Sequence, residues 1–220
     1  FPFFLFAMGA AFPLALTPKL ERGATLPSLL PALLKRFCLL AFFAIAIYHT
    51  TPYRVTGEWN FLLAVIAFAL FFMSFVRLPS SKGISNSILN STGLVLLLAL
   101  LAFNVVGQPE VFKQGFKLSH TDIILLILAN MALFGAVIWL ITRRNITLRL
   151  AVMACLVALK LSAEVEGSWT RELWNFNPMQ WLPDSLTSFL YTPGGWLFRM
   201  EFLMYLLIVL PGTIAGDLIL

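Results

Sequence analysis

The chain has 220 residues, of which 60% are hydrophobic and only 11% charged, and its mean hydropathy is +0.91. A soluble domain carries roughly a quarter charged residues, so this composition excludes one and predicts an integral membrane protein. The formal net charge of +5 comes from cations in short connections between apolar runs, which is the pattern of membrane orientation and not of nucleic-acid binding.

Taken in order, the apolar runs predict an all-α polytopic bundle, a single transmembrane domain of about seven spans, each near the roughly 20 residues that cross a bilayer. The spans are read at 1–16, 33–49, 59–76, 92–106, 123–141, 148–163 and 202–220. The first opens at Phe1 without a methionine and the last runs to Leu220, which predicts an internal piece of a larger polytopic protein. In the first span Gly9, Ala10 and Ala11 form a small-residue face, and Pro13 can bend it. Cys38 and Cys155 lie within apolar runs, as expected of small buried hydrophobes and not of a disulfide or metal pair.

Alternating connections sort the charges. One side receives Lys19, Arg22, Lys35, Arg36, Arg77, Lys82, Arg143, Arg144 and Arg149, with Glu21 as its acid. The other receives Arg54, Lys113, Lys117 and Arg171 against Glu58, Glu110, Glu164, Glu166, Glu172 and Asp184. The positive-inside rule places the first set in the cytoplasm. Phe1 and residues 160–199 are then extracytoplasmic, with a bacterial inner membrane as the expected location. Two glycosylation sequons, at Asn90 and Asn145, fall on the cytoplasmic side and are discarded.

Residues 160–199, between spans six and seven, hold Trp169, Trp174, Trp181 and Trp196 among four acids. Indole rings beside charge belong at a membrane–water boundary. Within this stretch Lys160 and Glu164 stand at i, i+4 and can pair on one helix face. Together with Glu166 and Trp169 they form either a surface ion pair with an anchor or a polar wall open to the outside. His49 and His120 lie at the outer ends of spans, where an interfacial role is expected. Asn104 and Asn130 are single amides within spans, expected to make interhelical hydrogen bonds. Span seven contains Gly212 and Gly216, a small-xxx-small face, then Asp217, a carboxylate at membrane depth that needs a partner or water. No nucleophile motif, phosphate loop or metal-ligand spacing is visible.

Phe1-Pro2-Phe3-Phe4-Leu5-Phe6 with Gly9, followed by Arg22-Gly23 and by a span opening on Lys35-Arg36, resembles the transmembrane acyltransferases related to heparan-α-glucosaminide N-acetyltransferase. Residues 211–219, PGTIAGDLI, look like a Gly-rich later helix of the bacterial branch of that family. The resemblance implies acetyl transfer from cytoplasmic acetyl-CoA to a sugar or amino sugar on the other side, with no metal. It implies that Lys35 and Arg36 meet the coenzyme's phosphates, and that Lys160, Glu164, Glu166 and Trp169 line the acceptor mouth. The family's catalytic histidine lies in the loop before the F-P-F-F span, so no catalytic residue is assigned within this chain. Where the family's next span often opens on a G-V-L-Q-R-like motif, this chain has Gly57-Glu58-Trp59-Asn60-Phe61. The rival reading is a transporter or flippase that moves span seven with Asp217. The expected partners are the bilayer and the acceptor, with no nucleic acid, and the sequence admits a homo-oligomer.

Overall fold

The computed structural model describes residues 1–50, 60–76, 86–106, 121–175 and 198–220, and every regular element among them is helical. Among the described residues five helices are long and apolar enough to cross a membrane, consistent with an integral membrane protein. The chain divides into two compact units, residues 1–44 with 122–220 and residues 45–121.

The first unit begins with α1 (Pro2–Glu21), whose first turn takes Pro2 at no cost because that N–H has no helical partner. The helix closes at Gly23, with φ +90°. Gly23 N–H donates to Leu20 O at 3.0 Å and Ala24 N–H to Lys19 O at 3.0 Å. That reciprocal pair absorbs two end carbonyls and requires the left-handed conformation that glycine adopts without strain. A short turn then opens α2 (Leu26–Thr50). Its start lies well before the expected residue 33, because Thr25 N–H donates to Ser28 Oγ at 2.9 Å and Pro27 fits the first turn. Lys35 and Arg36 therefore stand inside a helix and not at its opening.

α5 (Ile123–Thr142) and α6 (Ile146–Ala163) are capped by Asp122, which accepts from Leu125 N at 3.0 Å, and by Asn145, which accepts from Leu148 N at 3.1 Å. Asp122 N–H also donates to Ala44 O at 3.0 Å, tying the start of α5 to α2. After α6 the chain turns at Gly167 (φ +76°) into the short α7 (Trp169–Trp174). A 3₁₀ segment, Met200–Tyr205, leads without a break into α8 (Leu206–Ile219).

The core of this unit gathers Leu5, Phe12 and Leu16 of α1, Leu33 and Ala41 of α2, Met131, Ala136 and Trp139 of α5, and Leu206, Val209 and Leu210 of α8. α1 and α8 run parallel and very close. A Cβ on Gly9 would strike Val209 O, and one on Gly212 would strike Phe6 O. Two backbones can meet like this only where small residues face each other, and in a bilayer this contact replaces hydrophobic driving force. α5 runs the same way, since a Cβ on Gly135 would lie 2.8 Å from Val209 Cγ1 and Trp139 reaches Asp217. α6 runs opposite to all three.

The second unit holds the last turns of α2, then α3 (Asn60–Phe75) and α4 (Asn86–Val106). Their apolar stretches, Phe61–Phe75 and Asn86–Leu101, are shorter than the five long ones. The end of α3 lies on the start of α4. A Cβ on Gly93 would lie 2.8 Å from Ser74 N, and the Asn90 amide, turned so that its nitrogen faces the acceptors, reaches Val76 O at 3.0 Å and Met73 O at 3.1 Å. Asn90 and Asn145, the two sequon asparagines, are thus a helix-to-helix bridge and a helix cap.

Cys38 and Cys155 are free, as expected, but exposed and not buried. They face outward with large apolar side chains such as Phe3, Phe68 and Ile141, on the surface that acyl chains cover in a bilayer. His49 is buried beside the Tyr48 ring, 5.4 Å between centroids. His120, Trp181 and Trp196 lie outside the described residues.

Candidate functional site

Among the described residues of the first unit, charge enters the interior at one place, the end of the bundle where α5 finishes, α6 starts and α8 finishes. The Asn145 cap starts α6 at Ile146, which sets Arg149 one turn inside the helix and not in the connection with Arg143 and Arg144. Its side chain is fully buried. Arg149 Nη1 meets Asp217 Oδ2 at 2.6 Å and Thr213 Oγ1 at 3.0 Å, and Nε donates to Thr142 Oγ1 at 3.2 Å. Both hydroxyls give their own protons back to the helix, Thr142 to Ile138 O at 2.7 Å and Thr213 to Leu210 O at 2.6 Å. Their lone pairs are thereby left for the guanidinium. Trp139 Nε1 donates to Asp217 Oδ1 at 2.9 Å, so each carboxylate oxygen has a donor. Arg149 Nη2 is buried without an acceptor among the described residues.

Each ion of this pair is badly placed alone. A cation in the first turn of α6 and an anion in the last turns of α8 both oppose the helix dipole, and both lie within candidate spans, where charge is costly. Each compensates the other. The cluster offers no nucleophile and no carboxylate oxygen without a donor, so its chemistry is electrostatic: it fixes α5, α6 and α8 at one end.

The other end of α6 carries the residues expected at the acceptor mouth. Lys160 Nζ meets Glu164 Oε1 at 3.3 Å and stands 5.7 Å above the Trp174 ring centroid. The helix spacing makes the first contact and α7 the second, because α7 folds back on α6. Ser162 Oγ and Thr170 Oγ1 share a hydrogen bond at 2.8 Å, and Ser168 Oγ bonds Thr170 Oγ1 and caps Thr170 N. Glu166 instead pairs with Arg171 at 3.9 Å, both well exposed, and Trp169 is 70% exposed. Of the four residues, Lys160 and Glu164 are joined, with Trp174 added.

Lys35 and Arg36 are exposed on α2 and make no ion pair with a described residue. Asn130 is buried, and its Nδ2 donates to Leu126 O at 2.8 Å within α5. The side chain of Asn104 lies outside the described residues. No group of three or more His, Cys, Asp or Glu that could hold a metal occurs among the described residues.

Sequence reasoning singled out Asp217 but missed Arg149, Trp139, Thr142 and Thr213. A signal for Arg149 existed: it stands between Leu148 and Leu150, after a capping asparagine, where a cation opposes the helix dipole. No signal in the sequence joins it to a carboxylate 68 positions away.

A family model described as a domain of unknown function, DUF5009, matches residues 1–187. No curated protein matches the chain, and no solved structure does.

Proposed function

We infer that this chain, which belongs to the DUF5009 family, is a membrane-embedded acyltransferase that moves an acetyl group from cytoplasmic acetyl-CoA to an extracytoplasmic sugar or amino sugar. One observation carries the reading. The two segments that resemble the acyltransferases, residues 1–9 and 211–219, pack against each other, with Gly9 at Val209 and Gly212 at Phe6. Segments far apart in the chain that share a resemblance and also share an interface support one common architecture.

In this reading the end with Arg143, Arg144 and the Arg149–Asp217 pair faces the cytoplasm. The exposed Lys35 and Arg36 meet the coenzyme's phosphates as point charges or forks. Lys160 and Glu164 face the acceptor at the opposite end. In the net transfer an N–acetyl or O–acetyl bond forms on the acceptor, the C–S bond of the thioester breaks, and the acceptor's proton ends on the thiol of coenzyme A.

The test is transfer of labelled acetyl from acetyl-CoA to amino sugars and sugars by the whole protein in sealed vesicles. Acetylated product on the far side is expected. The buried Arg149–Asp217 pair favours a second reading, a transporter or flippase in which that pair opens and closes. Protein-dependent flux without acetyl product would select it and overturn the first.

A further inference from the structure

α7 presents two different faces. Helical geometry places Trp169 and Leu173 about 40° apart, Thr170 and Trp174 beside them, and Arg171 roughly opposite the first pair. Thr170 and Trp174 are buried, Thr170 bonded to Ser162 and Trp174 beneath Lys160. Trp169 and Leu173 are exposed. On α6, Val157 and Leu161 are exposed too, one turn apart, and Val165 just past the helix end is likewise exposed. α6 is a candidate membrane span, and α7 is held against its last turns by Ser162–Thr170 and Lys160–Trp174, so the exposed Trp169 and Leu173 stand at the end of a span.

We propose that α7 is an interfacial helix, with Trp169 and Leu173 inserted at the acyl–headgroup boundary of the leaflet at the Lys160 end of α6. The attachment of α7 to the end of a candidate span identifies the occupant as lipid. An indole at the end of a span takes the position where its apolar ring and polar N–H are both satisfied. Arg171 and Glu172, both exposed on the remaining arc, reach water and headgroups. The short helix needs no stability of its own, because the Thr170 hydrogen bonds and the Lys160–Trp174 contact clamp it to α6. The inference does not depend on the acyltransferase reading, and it leaves Lys160 and Glu164 to meet the acceptor without Trp169.

The test uses the whole protein with Cys38 and Cys155 replaced by alanine, in vesicles of phosphatidylethanolamine and phosphatidylglycerol. Single spin labels are introduced through Leu161→Cys, Trp169→Cys, Arg171→Cys and Leu173→Cys. Collision with oxygen relative to a water-soluble nickel chelate is expected to be several-fold higher at 161, 169 and 173 than at 171. Labels at 169 and 173 as open to nickel as the label at 171 would overturn the proposal. Low collision with both reagents would also overturn it, because the face is then covered by protein, such as a second copy. Should the Trp169→Cys protein fail to fold, lipids brominated near the headgroup replace that arm. They are expected to quench a fluorescence component that Trp169→Phe removes, and an unchanged quenched fraction would overturn the proposal.

Discussion

Arg149 and Asp217 meet at 2.6 Å, with the arginine fully buried and the carboxylate 24% exposed, so one ion depends on a partner that still touches the surroundings. Removing one member of a buried pair costs more than removing both, because the survivor keeps its desolvation without its attraction. Asp217→Leu is therefore expected to lower stability by about 3 kcal/mol. The double variant Arg149→Met with Asp217→Leu is expected to recover most of that loss. Thermal unfolding in detergent, read as a double-mutant cycle, checks both. A double variant less stable than the single one would refute this account.

Trp139→Phe keeps an aromatic side chain, though a smaller one, and removes the donor to Asp217 Oδ1. The expected loss is about 1.5–3 kcal/mol, the range for a hydrogen bond to a charged group. In the Asp217→Leu background the same substitution should cost nothing beyond its change in packing. The difference between the two backgrounds is the measurement.

Gly212 sits where a Cβ would meet Phe6 O. Gly212→Val is expected to push α8 off α1 and lower stability by about 2 kcal/mol or more, as overpacking does. Gly23→Ala meets no neighbour but must hold a positive φ, so its expected cost is about 1 kcal/mol from backbone strain alone. Cross-linking of cysteines placed on the two helices should fall in the first variant and persist in the second.

Lys160 and Glu164 form an exposed i, i+4 pair, worth only about 0.3–0.5 kcal/mol. Glu164→Gln is therefore expected to leave the unfolding temperature nearly unchanged. If this face meets the acceptor, the same substitution raises the acceptor KM several-fold and leaves acetyl-CoA KM alone. Steady-state kinetics with each substrate varied in turn separates those outcomes.

Sidedness has its own check. With Cys38 and Cys155 replaced, Arg144→Cys is expected to be shielded from a membrane-impermeant maleimide in right-side-out vesicles, and Glu166→Cys to react. Reversed labelling would invert the bundle and remove the cytoplasmic assignment of the coenzyme.

Local signals carried much of the helical pattern. α5 was legible at 123–141 and spans Ile123–Thr142, because Asp122 is both a cap and the last polar residue before an apolar run in which Asn130 is the one amide. α2 was misread at its start, since Pro27, Ser28 and Pro31 look like a connection. In the fold, Pro27 sits in the first turn and the Ser28–Thr25 bonds cap the helix, which begins at Leu26. Asp217 was legible as an anomaly, because a carboxylate in an apolar run needs company. Its partner was not. Counting charges by connection assigned Arg149 to the loop with Arg143 and Arg144, and only the Asn145 cap moves it into the helix. Which cation meets which anion depends on the α6–α8 packing, a relation between distant segments that no periodicity encodes.

The parallel contact of α1 with α8 has a consequence for the order of assembly. Its two sides lie some two hundred positions apart, by the residues that touch, Phe6 and Gly212. A chain inserted from its amino end must hold the Gly9 face of α1 open to lipid until α8 has entered. Local hairpins such as α5–α6 can form in the meantime, since their partners emerge together. Of the contacts among these helices, the seam between α1 and α8 closes after those of α1 with α5, and the Arg149–Asp217 pair closes with it.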